Sequence, residues 1–284
     1  MKEIAVTGGK GGTGKSTVAI MFAFKQIELG KKVLLVDCDV ECPNDHILLG
    51  INELKNPVSK TTTFYPVIDD DKCTKCGLCV RSCRSSALFQ PGDSVPVLNK
   101  DLCSSCGVCW NVCPSNAISK EEVVNGEIFR NDILDGLTLV TGRSIPGVRE
   151  TSPVVEQVRD YIDGLKSSFD LVVIDTAAGA HCTVMRALED VEKAYSVTEP
   201  TPLGAHDLSV ILRVLKVLKV PSDIVLNRSD IGNKALIDEV ARKHGSNVCC
   251  EIPYDDDLAR FYSEGNFLEH RLSISKLLKL YKSQ

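Results

Sequence analysis

"TGGKGGTGKST", residues 7–17, lies between a short apolar run and a segment whose apolar residues recur at helical spacing. The run "KEIAV" at 2–6 predicts a strand, and "VAIMFAFKQIELG" at 18–30 predicts a helix that ends at Gly30. A strand, a glycine-rich loop and a helix in this order are typical of an α/β protein that binds phosphate at the start of the helix.

Gly9 to Ser16 fit the pattern G-x-x-x-x-G-K-[ST], in which successive backbone N–H groups turn toward phosphate oxygens. Lys15 is then predicted to reach the β and γ phosphates of ATP, and the Ser16 hydroxyl to bind Mg²⁺. The alternative is a chance glycine-rich turn. The residues predicted to bind ATP or ADP here are Gly9, Lys10, Gly11, Gly12, Thr13, Gly14, Lys15, Ser16 and Thr17.

The sequence "KGGTGKST" at 10–17 resembles the deviant Walker A loop of the MinD/ParA/nitrogenase-iron-protein ATPases. The resemblance implies that Lys10 reaches across a face-to-face dimer to the phosphates of the partner, so that hydrolysis depends on dimerisation. It makes Lys10, Lys15 and Asp39 the predicted catalytic residues. The expected partner is a second copy of the chain or a related ATPase.

Two further strands are predicted to end in carboxylates. "KKVLLVDCDVECPND" at 31–45 brings Asp37 and Asp39 to one face of a strand, because strand side chains alternate. By resemblance to the D-x-D switch of the family, Asp39 positions the attacking water and Asp37 supports the metal shell. Asp175, which ends the apolar run "FDLVVID", resembles the Walker B aspartate that holds Mg²⁺.

Two segments near the C-terminus resemble the base-binding part of the family. Asn227 ends the predicted strand "DIVLN" and matches an adenine-binding asparagine, whose amide both donates and accepts hydrogen bonds. Pro253 lies in "CEIPYDDDLA" at 250–259, which resembles the segment packed beside the base. Ordinary loop residues at strand ends are the alternative for both.

Eight of the thirteen cysteines form a second pattern, C-x2-C-x2-C-x3-C, which occurs twice. In two-cluster ferredoxins the fourth cysteine of each run ligates the other cluster. The predicted ligands are Cys73, Cys76, Cys79 and Cys113 for one 4Fe-4S cluster, and Cys83, Cys103, Cys106 and Cys109 for the other.

Paired zinc knuckles are the competing interpretation of these cysteines, although zinc does not require such a run twice. Arg84 departs from the ferredoxin pattern, since Pro114 follows the second run where Arg84 follows the first. The remaining cysteines are interpreted as buried residues or, on the switch segments, as thiols near the nucleotide or the dimer face; they are Cys38, Cys42, Cys182, Cys249 and Cys250.

The ATPase motifs lie on both sides of the cysteines, which predicts a discontinuous domain. Residues 1–62 and 121–284 are expected to form an α/β P-loop domain with a mostly parallel sheet, and 63–120 an inserted, small α+β ferredoxin-like module. Polar flanks at 56–66 and 119–127 suit an insertion site. The whole length resembles MinD superfamily ATPases that carry an inserted ferredoxin domain.

Composition narrows the class of protein. The net charge of −5 and the lack of a basic run speak against nucleic acid as a partner. No apolar run approaches the roughly 18 to 20 residues of a membrane span, and the N-terminus lacks the pattern of a signal peptide, which favours the cytoplasm. The basic, amphipathic stretch at 272–284 is expected to be a closing helix, with membrane binding as the alternative.

Three functions fit these patterns. The first is an ATPase whose nucleotide state governs electron transfer through the clusters. The second is a maturation or metal-delivery factor whose ferredoxin module docks a client protein. The third is a positioning ATPase that uses the clusters as a redox sensor, although the lack of a basic surface run speaks against it.

Overall fold

The structure, a computed structural model, describes residues 2–279. Its strands are β1 Lys2–Thr7, β2 Val33–Cys38, β3 Ser59–Ile68, β4 Leu88–Phe89, β5 Val97–Leu98, β6 Ile118–Leu134, β7 Leu137–Ser144, β8 Leu171–Thr176, β9 Lys193–Thr198, β10 Ser222–Asn227 and β11 Val248–Ile252. Its α-helices are α1 Lys15–Glu28, α2 Asp45–Leu48, α3 Leu78–Arg81, α4 Val108–Asn111, α5 Ser152–Asp163, α6 Cys182–Ala187, α7 Pro202–Leu218, α8 Lys234–His244, α9 Asp256–Glu264 and α10 Arg271–Leu277.

The chain forms two compact units. The first comprises the described residues up to Ser59, Ile128–Arg143, and the described residues from Val155 onward. The second comprises Lys60–Glu127 and Ser144–Val154. The polar flanks at 56–66 and 119–127 fall largely in β3 and β6, and β6 begins in the second unit and ends in the first.

The main sheet has the order β11-β10-β9-β1-β8-β2-β7-β6-β3. The pairs from β11 across to β7 are all parallel, which confirms the predicted α/β class with a mostly parallel sheet. Strands β2 and β8 are buried at every position, as continuous apolar runs are when other strands cover both edges and helices cover the faces.

Helix α1 supplies much of the core of the first unit. Its side chains from Val18 to Phe24 are buried, and Phe22 and Phe24 belong to one apolar cluster with Leu35 of β2 and Val173 of β8. A helix packed in this way holds the loop that precedes it against the carboxyl ends of the parallel strands, where ligands bind in such sheets.

Sequence-local signals define the segment from β9 to α7. Thr201 caps α7, because its hydroxyl accepts a hydrogen bond from the Gly204 amide at 3.0 Å, and Pro202 occupies the first turn. The cap turns the chain sharply after β9, so that the buried side chain of Glu199 lies at the strand end.

The second unit contains little regular structure beyond β3 and the first part of β6. Thr61 of β3 donates a hydrogen bond to Asn125 of β6 at 2.7 Å. Helices α3 and α4 have four residues each, and β4 and β5 pair antiparallel. A small apolar cluster of Cys79, Leu88 and Ile118 forms its core.

At the C-terminal end, α10 spans Arg271–Leu277. The predicted closing helix at 272–284 therefore begins within the described residues, and its last five residues, 280–284, lie outside them. Each helix among residues 2–279 is too short or too polar to span a bilayer.

Candidate functional site

The glycine-rich loop joins β1 to α1 at the carboxyl edge of the sheet. Gly14 precedes α1 with φ +93°, and a Cβ there would come within 2.5 Å of the Asn227 amide nitrogen. That amide donates a hydrogen bond to the Thr13 carbonyl at 2.9 Å, so the end of β10 holds the loop. The Lys15 ammonium donates to the Lys10 carbonyl at 3.3 Å and lies on the inside of the loop.

Asp37 and Asp175 are direct neighbours in the parallel register of β2 and β8. Both are buried, and the Ser16 hydroxyl donates to Asp175 Oδ2 at 2.6 Å. Burial raises the pKa of Asp175 to about 7, although the Ser16 hydrogen bond and the Lys15 charge act to lower it. Burial and the charge of Asp175 raise the pKa of Asp37 well above its usual value. Ser16 therefore contacts Asp175, which pairs with Asp37 in the sheet, and the oxygens of these side chains are of the type that Mg²⁺ binds in proteins.

Asp39 lies one residue beyond β2, so the alternation argument that pairs it with Asp37 does not extend to it. Instead, its amide donates to Asp37 Oδ1 at 3.0 Å, and its carboxylate accepts a hydrogen bond from the Cys42 amide at 3.3 Å. Burial raises the pKa of this partly exposed carboxylate. Asp39 is therefore partly accessible to solvent.

Sequence reasoning missed a third buried carboxylate, Asp45, at the start of α2. One carboxylate oxygen each from Asp37, Asp45 and Asp175 lie within 4.8 Å of one another. Burial, together with the charges of Asp175 and Asp37, raises the pKa of Asp45 well above its usual value. The available signal was an acidic residue in a segment that follows the D-x-D pair, but its burial depends on how the chain turns back after β2.

Glu199 was also missed. Its carboxylate is buried, lies 4.0 Å from the Lys10 ammonium and contacts the Arg228 guanidinium. Lys10 is therefore held by a carboxylate of its own chain, at a position where its side chain is partly exposed. The segment "SVTEPTPLGAHD" offers no spacing rule that would single out this residue.

A cavity of about 320 Å³ opens beside the loop. This volume lies within the range of about 300–1,000 Å³ that is typical of ligand pockets. Its walls include the predicted base-binding residues Asn227 and Pro253, and the aromatic rings of Tyr254 and Tyr262. The cavity residues are Gly12, Gly14, Thr17, Asn227, Arg228, Pro253, Tyr254, Asp255, Leu258, Ala259 and Tyr262.

The second unit contains two small, mainly apolar cavities, and each is lined by four cysteines. The cysteines of the first cavity are Cys73, Cys76, Cys79 and Cys113. Those of the second are Cys83, Cys103, Cys106 and Cys109. The grouping is the same as the crossed ligand sets that the spacing predicts, and four thiolates around an apolar cavity fit a 4Fe-4S cluster.

The fourth cysteine of each run has the same hydrogen-bonding surroundings. Cys83 Sγ lies 3.5 Å from the Ser85 hydroxyl, and Cys113 Sγ lies 3.7 Å from the Ser115 hydroxyl. Burial raises the pKa of both thiols, but these hydroxyls and nearby backbone amides outweigh it, so each pKa is below its ordinary value. Such bonds stabilise thiolates, the form that ligates metal. Arg84 is exposed and does not disturb this pattern.

The other cysteines are not among the residues that line these two cavities. Cys38 is buried in β2, and Cys249 and Cys250 are buried in β11, where burial raises their pKa values to about 12 and about 11. Cys42 and Cys182 are exposed. A thiol with a raised pKa is a poor nucleophile and metal ligand, which suits a structural role for Cys249 and Cys250.

Comparison with known proteins decides the family. The sequence profile of the CobQ/CobB/MinD/ParA nucleotide binding domain matches residues 4–268. The chain belongs to this family. It is 37% identical over 271 residues to an uncharacterized protein of Methanocaldococcus jannaschii, covering 95% of this chain and 93% of the relative. A second uncharacterized protein of that organism is 29% identical over 258 residues, covering 91% and 86%.

Solved structures show the same fold. The septum site-determining protein MinD of Pyrococcus horikoshii, complexed with Mg-ADP, superposes with a TM-score of 0.58 at 19% identity. The match covers 97% of this chain and 93% of that chain. The family match thus confirms the MinD/ParA resemblance of the loop.

Proposed function

We propose that this chain is an ATPase that acts as a dimer and couples its nucleotide state to electron transfer through two 4Fe-4S clusters. One observation carries the proposal. Two cavities, each lined by four cysteines, occur in a chain that belongs to a nucleotide-binding family. The second unit is then the inserted ferredoxin-type domain predicted at 63–120.

In the proposed ATPase, residues around the glycine-rich loop bind the nucleotide and Mg²⁺. The loop amides and Lys15 bind the phosphates, and Ser16 and Asp175, with Asp37 in support, hold Mg²⁺. Mg²⁺ supplies charge neutralisation to the phosphate oxygens. Asp39 orients the water that attacks the γ phosphate, and the Asn227 amide with Pro253 and the two tyrosines of the cavity holds the base.

Dimerisation rests on Lys10. Its side chain is partly exposed, and Glu199 holds it near the loop of its own chain. The triphosphate of ATP on a partner subunit carries more negative charge than the Glu199 carboxylate, so Lys10 can leave Glu199 and contact those phosphates. The partner is a second copy or a related ATPase; the two similar proteins in one organism support the second possibility.

In the proposed electron transfer, each 4Fe-4S cluster stores one electron. The cysteines bind the irons, and hydrogen bonds from Ser85 and Ser115 to the fourth cysteines stabilise negative charge on sulfur. Cys76 and Cys106 are exposed, so an edge of each site faces solvent and is accessible to a redox partner.

An anaerobic redox titration followed by EPR tests the proposal. Reconstituted protein is expected to show two 4Fe-4S signals, and Mg-ATP is expected to shift at least one midpoint potential or the rate of electron transfer. Protein with two clusters whose potentials and rates ignore Mg-ATP would refute the coupling. Zinc in place of iron after anaerobic purification would refute the clusters.

Delivery of a cluster to a client protein is the second candidate, and the exposed Cys76 and Cys106 favour it because the thiols of an acceptor protein can approach the cluster at these two ligands. Iron content measured before and after many ATP turnovers separates the two functions. Electron transfer leaves the iron bound, whereas delivery lowers it in the presence of an apo-protein acceptor.

A further inference from the structure

Asp45 is a carboxylic acid that is buried in the first unit. It is the first residue of α2 and has no exposed surface. Its amide donates to Asp37 Oδ2 at 3.1 Å, which fixes the position of the backbone. Within residues 2–279, neither of its carboxylate oxygens has a hydrogen-bond partner.

The Asp45 carboxylate faces two others. One oxygen from each of Asp37, Asp45 and Asp175 lies within 4.8 Å of the other two. Asp175 Oδ1 likewise has no hydrogen-bond partner in the described part of the chain. Asp37 is oriented by backbone amides, since Oδ1 accepts from Asp39 and Oδ2 from Asn44 and Asp45.

Three carboxylates at this separation cannot all be ionised in a buried site without a compensating charge. The positive charge of Lys15 favours the ionised form of Asp175, whereas the negative charge of Asp39 disfavours the ionised form of Asp45. Two arrangements would compensate the negative charge of the three carboxylates. Either the carboxylates share protons, or a cation binds between them. Buried oxygens of Asp45 and Asp175 without a hydrogen-bond partner leave lone pairs available to a cation, because carboxylate oxygens are ligands for divalent ions.

We propose that Asp45 is a third carboxylate ligand of a divalent cation held with Asp37 and Asp175, in a site that fills before nucleotide binds. Oxygen ligands of this hard type suit Mg²⁺ or Mn²⁺, whose bonds to oxygen of about 2.0–2.2 Å place opposite ligands about 4 Å apart. The three carboxylate oxygens, all within 4.8 Å of one another, need to move inward by only a few tenths of an ångström to reach this separation.

The cation site itself does not depend on the proposed nucleotide site. Only its consequence rests on that proposal, namely that the protein binds ATP when a cation is already in place. In other phosphate loops the cation shell is built mostly from phosphate oxygens and water, with few protein carboxylates. A cation held by three carboxylates instead binds to the protein alone.

Mn²⁺ binding without nucleotide tests the site. The full chain, with its clusters in the oxidised state, is titrated anaerobically with Mn²⁺ while EPR follows the signal of the free ion. The wild-type protein is expected to bind one Mn²⁺ per chain. Asp45→Asn and Asp45→Ala are expected to weaken that binding at least tenfold. Asp135→Asn, at an exposed aspartate of the same unit, is the matched control and is expected to bind as wild type does.

Thermal unfolding in metal-free buffer provides the second measurement. Asp45→Asn removes one proposed ligand of the cation, so Mn²⁺ is expected to raise the melting temperature of wild type and to leave that of the folded variant nearly unchanged. Wild-type protein that binds no Mn²⁺ until ATP is added would overturn the inference and leave the ATPase proposal standing. Equal Mn²⁺ affinity in wild type and a folded Asp45 variant would also overturn it. Mn²⁺ binding without any ATP hydrolysis would refute the ATPase alone.

Discussion

At the residue scale, Glu199 links two cations, Lys10 and Arg228, beside the phosphate loop. A carboxylate that attracts Lys10 inside its own chain competes with the phosphates that Lys10 is proposed to reach in a partner. A partly exposed ion pair of this kind contributes up to about 1 kcal/mol, equivalent to about fivefold in an equilibrium. The pair is therefore expected to adjust the proposed dimerisation without controlling it.

We accordingly expect Glu199→Gln to tighten the ATP-dependent dimer by about two- to fivefold, because Lys10 no longer leaves a carboxylate when the dimer forms. Light scattering over a range of protein concentrations, with a non-hydrolysable ATP analogue, measures the effect. Lys10→Gln is the reference and is expected to stay monomeric. A weaker dimer in Glu199→Gln would mean that Glu199 orients Lys10 for the partner.

Gly14 of the glycine-rich loop is the subject of a second prediction. Gly14→Ala combines a left-handed φ of +93° with a Cβ that would lie 2.5 Å from the Asn227 amide. The substitution is expected to displace Asn227 and to weaken ATP binding at least tenfold, measured by calorimetry. Gly164→Ala is the control, since a Cβ there meets only an ordinary contact at 3.6 Å. ATP affinity in Gly14→Ala equal to that of the control would show that the cavity beside Asn227 does not hold the base.

Residues of the loop are predictable from sequence because their function depends on contiguous spacing. Asp45 and Glu199 are not, because each acquires its surroundings from strands distant in the chain. Asp45 becomes significant only when β2 and β8 pair in the register that brings Asp37 beside Asp175. No local pattern encodes that pairing.

At the scale of the secondary-structure elements, α3 and α4 organise the cysteines. Each helix follows a glycine in the left-handed region, Gly77 at φ 69° and Gly107 at φ 77°. The repeated glycine turns the chain so that three cysteines of a run face one cavity while the fourth lies at the other. The spacing predicts this crossing, and it stays a prediction until the clusters are measured.

Trp110, the single tryptophan of the chain, provides a site-specific test. It lines the cavity of Cys83, Cys103, Cys106 and Cys109. An iron-sulfur cluster absorbs across the ultraviolet and visible range, so a bound cluster quenches a neighbouring indole most strongly.

We therefore expect Cys83→Ser to lose the cluster beside Trp110 and to fluoresce more brightly than Cys113→Ser, although Cys83 belongs to the other run. Iron analysis should show about half of the wild-type iron in both variants, as expected from one lost cluster in each. Brighter fluorescence in Cys113→Ser would reverse the ligand sets, and unchanged fluorescence in both would remove the clusters from these cavities.

Elements near the unit boundary are harder to predict. The polar run that begins at Ser59 forms β3, in which Thr61 and Thr63 are buried, and polar residues that alternate between two faces carry a weak strand signal. The cysteine runs, by contrast, include the short helices α3 and α4, and the spacing of their cysteines predicts the two ligand sets.

At the scale of the whole molecule, the parallel sheet and the family match account for most of the first unit, because buried apolar strands alternating with helices predict such a sheet. The second unit has a small apolar core and little regular structure. Metal ligation is therefore expected to supply much of its stability, as in other small metal-binding domains. Hydrophobic periodicity in the sequence therefore predicts little of the structure of such a unit. Nearly all of the information in its sequence lies in the spacing of the cysteines.

The last prediction concerns how long the nucleotide state acts on the clusters. If Asp39 positions water, Asp39→Ala binds ATP and dimerises but hydrolyses slowly, so the ATP state persists. A reduced cluster carries one more negative charge than an oxidised one, and closure that excludes water disfavours that charge. The ATP dimer is therefore expected to have at least one midpoint potential lower than that of the ADP state.

In wild type this shift should decay as ATP is consumed, whereas in Asp39→Ala it should last for the lifetime of the trapped dimer. EPR samples frozen at intervals after ATP addition, at a fixed potential, measure the reduced fraction, and light scattering follows the dimer in parallel. Lys10→Gln should show neither dimer nor shift. A shift in Lys10→Gln would make ATP binding within one chain sufficient, and the coupling would then act without the partner subunit.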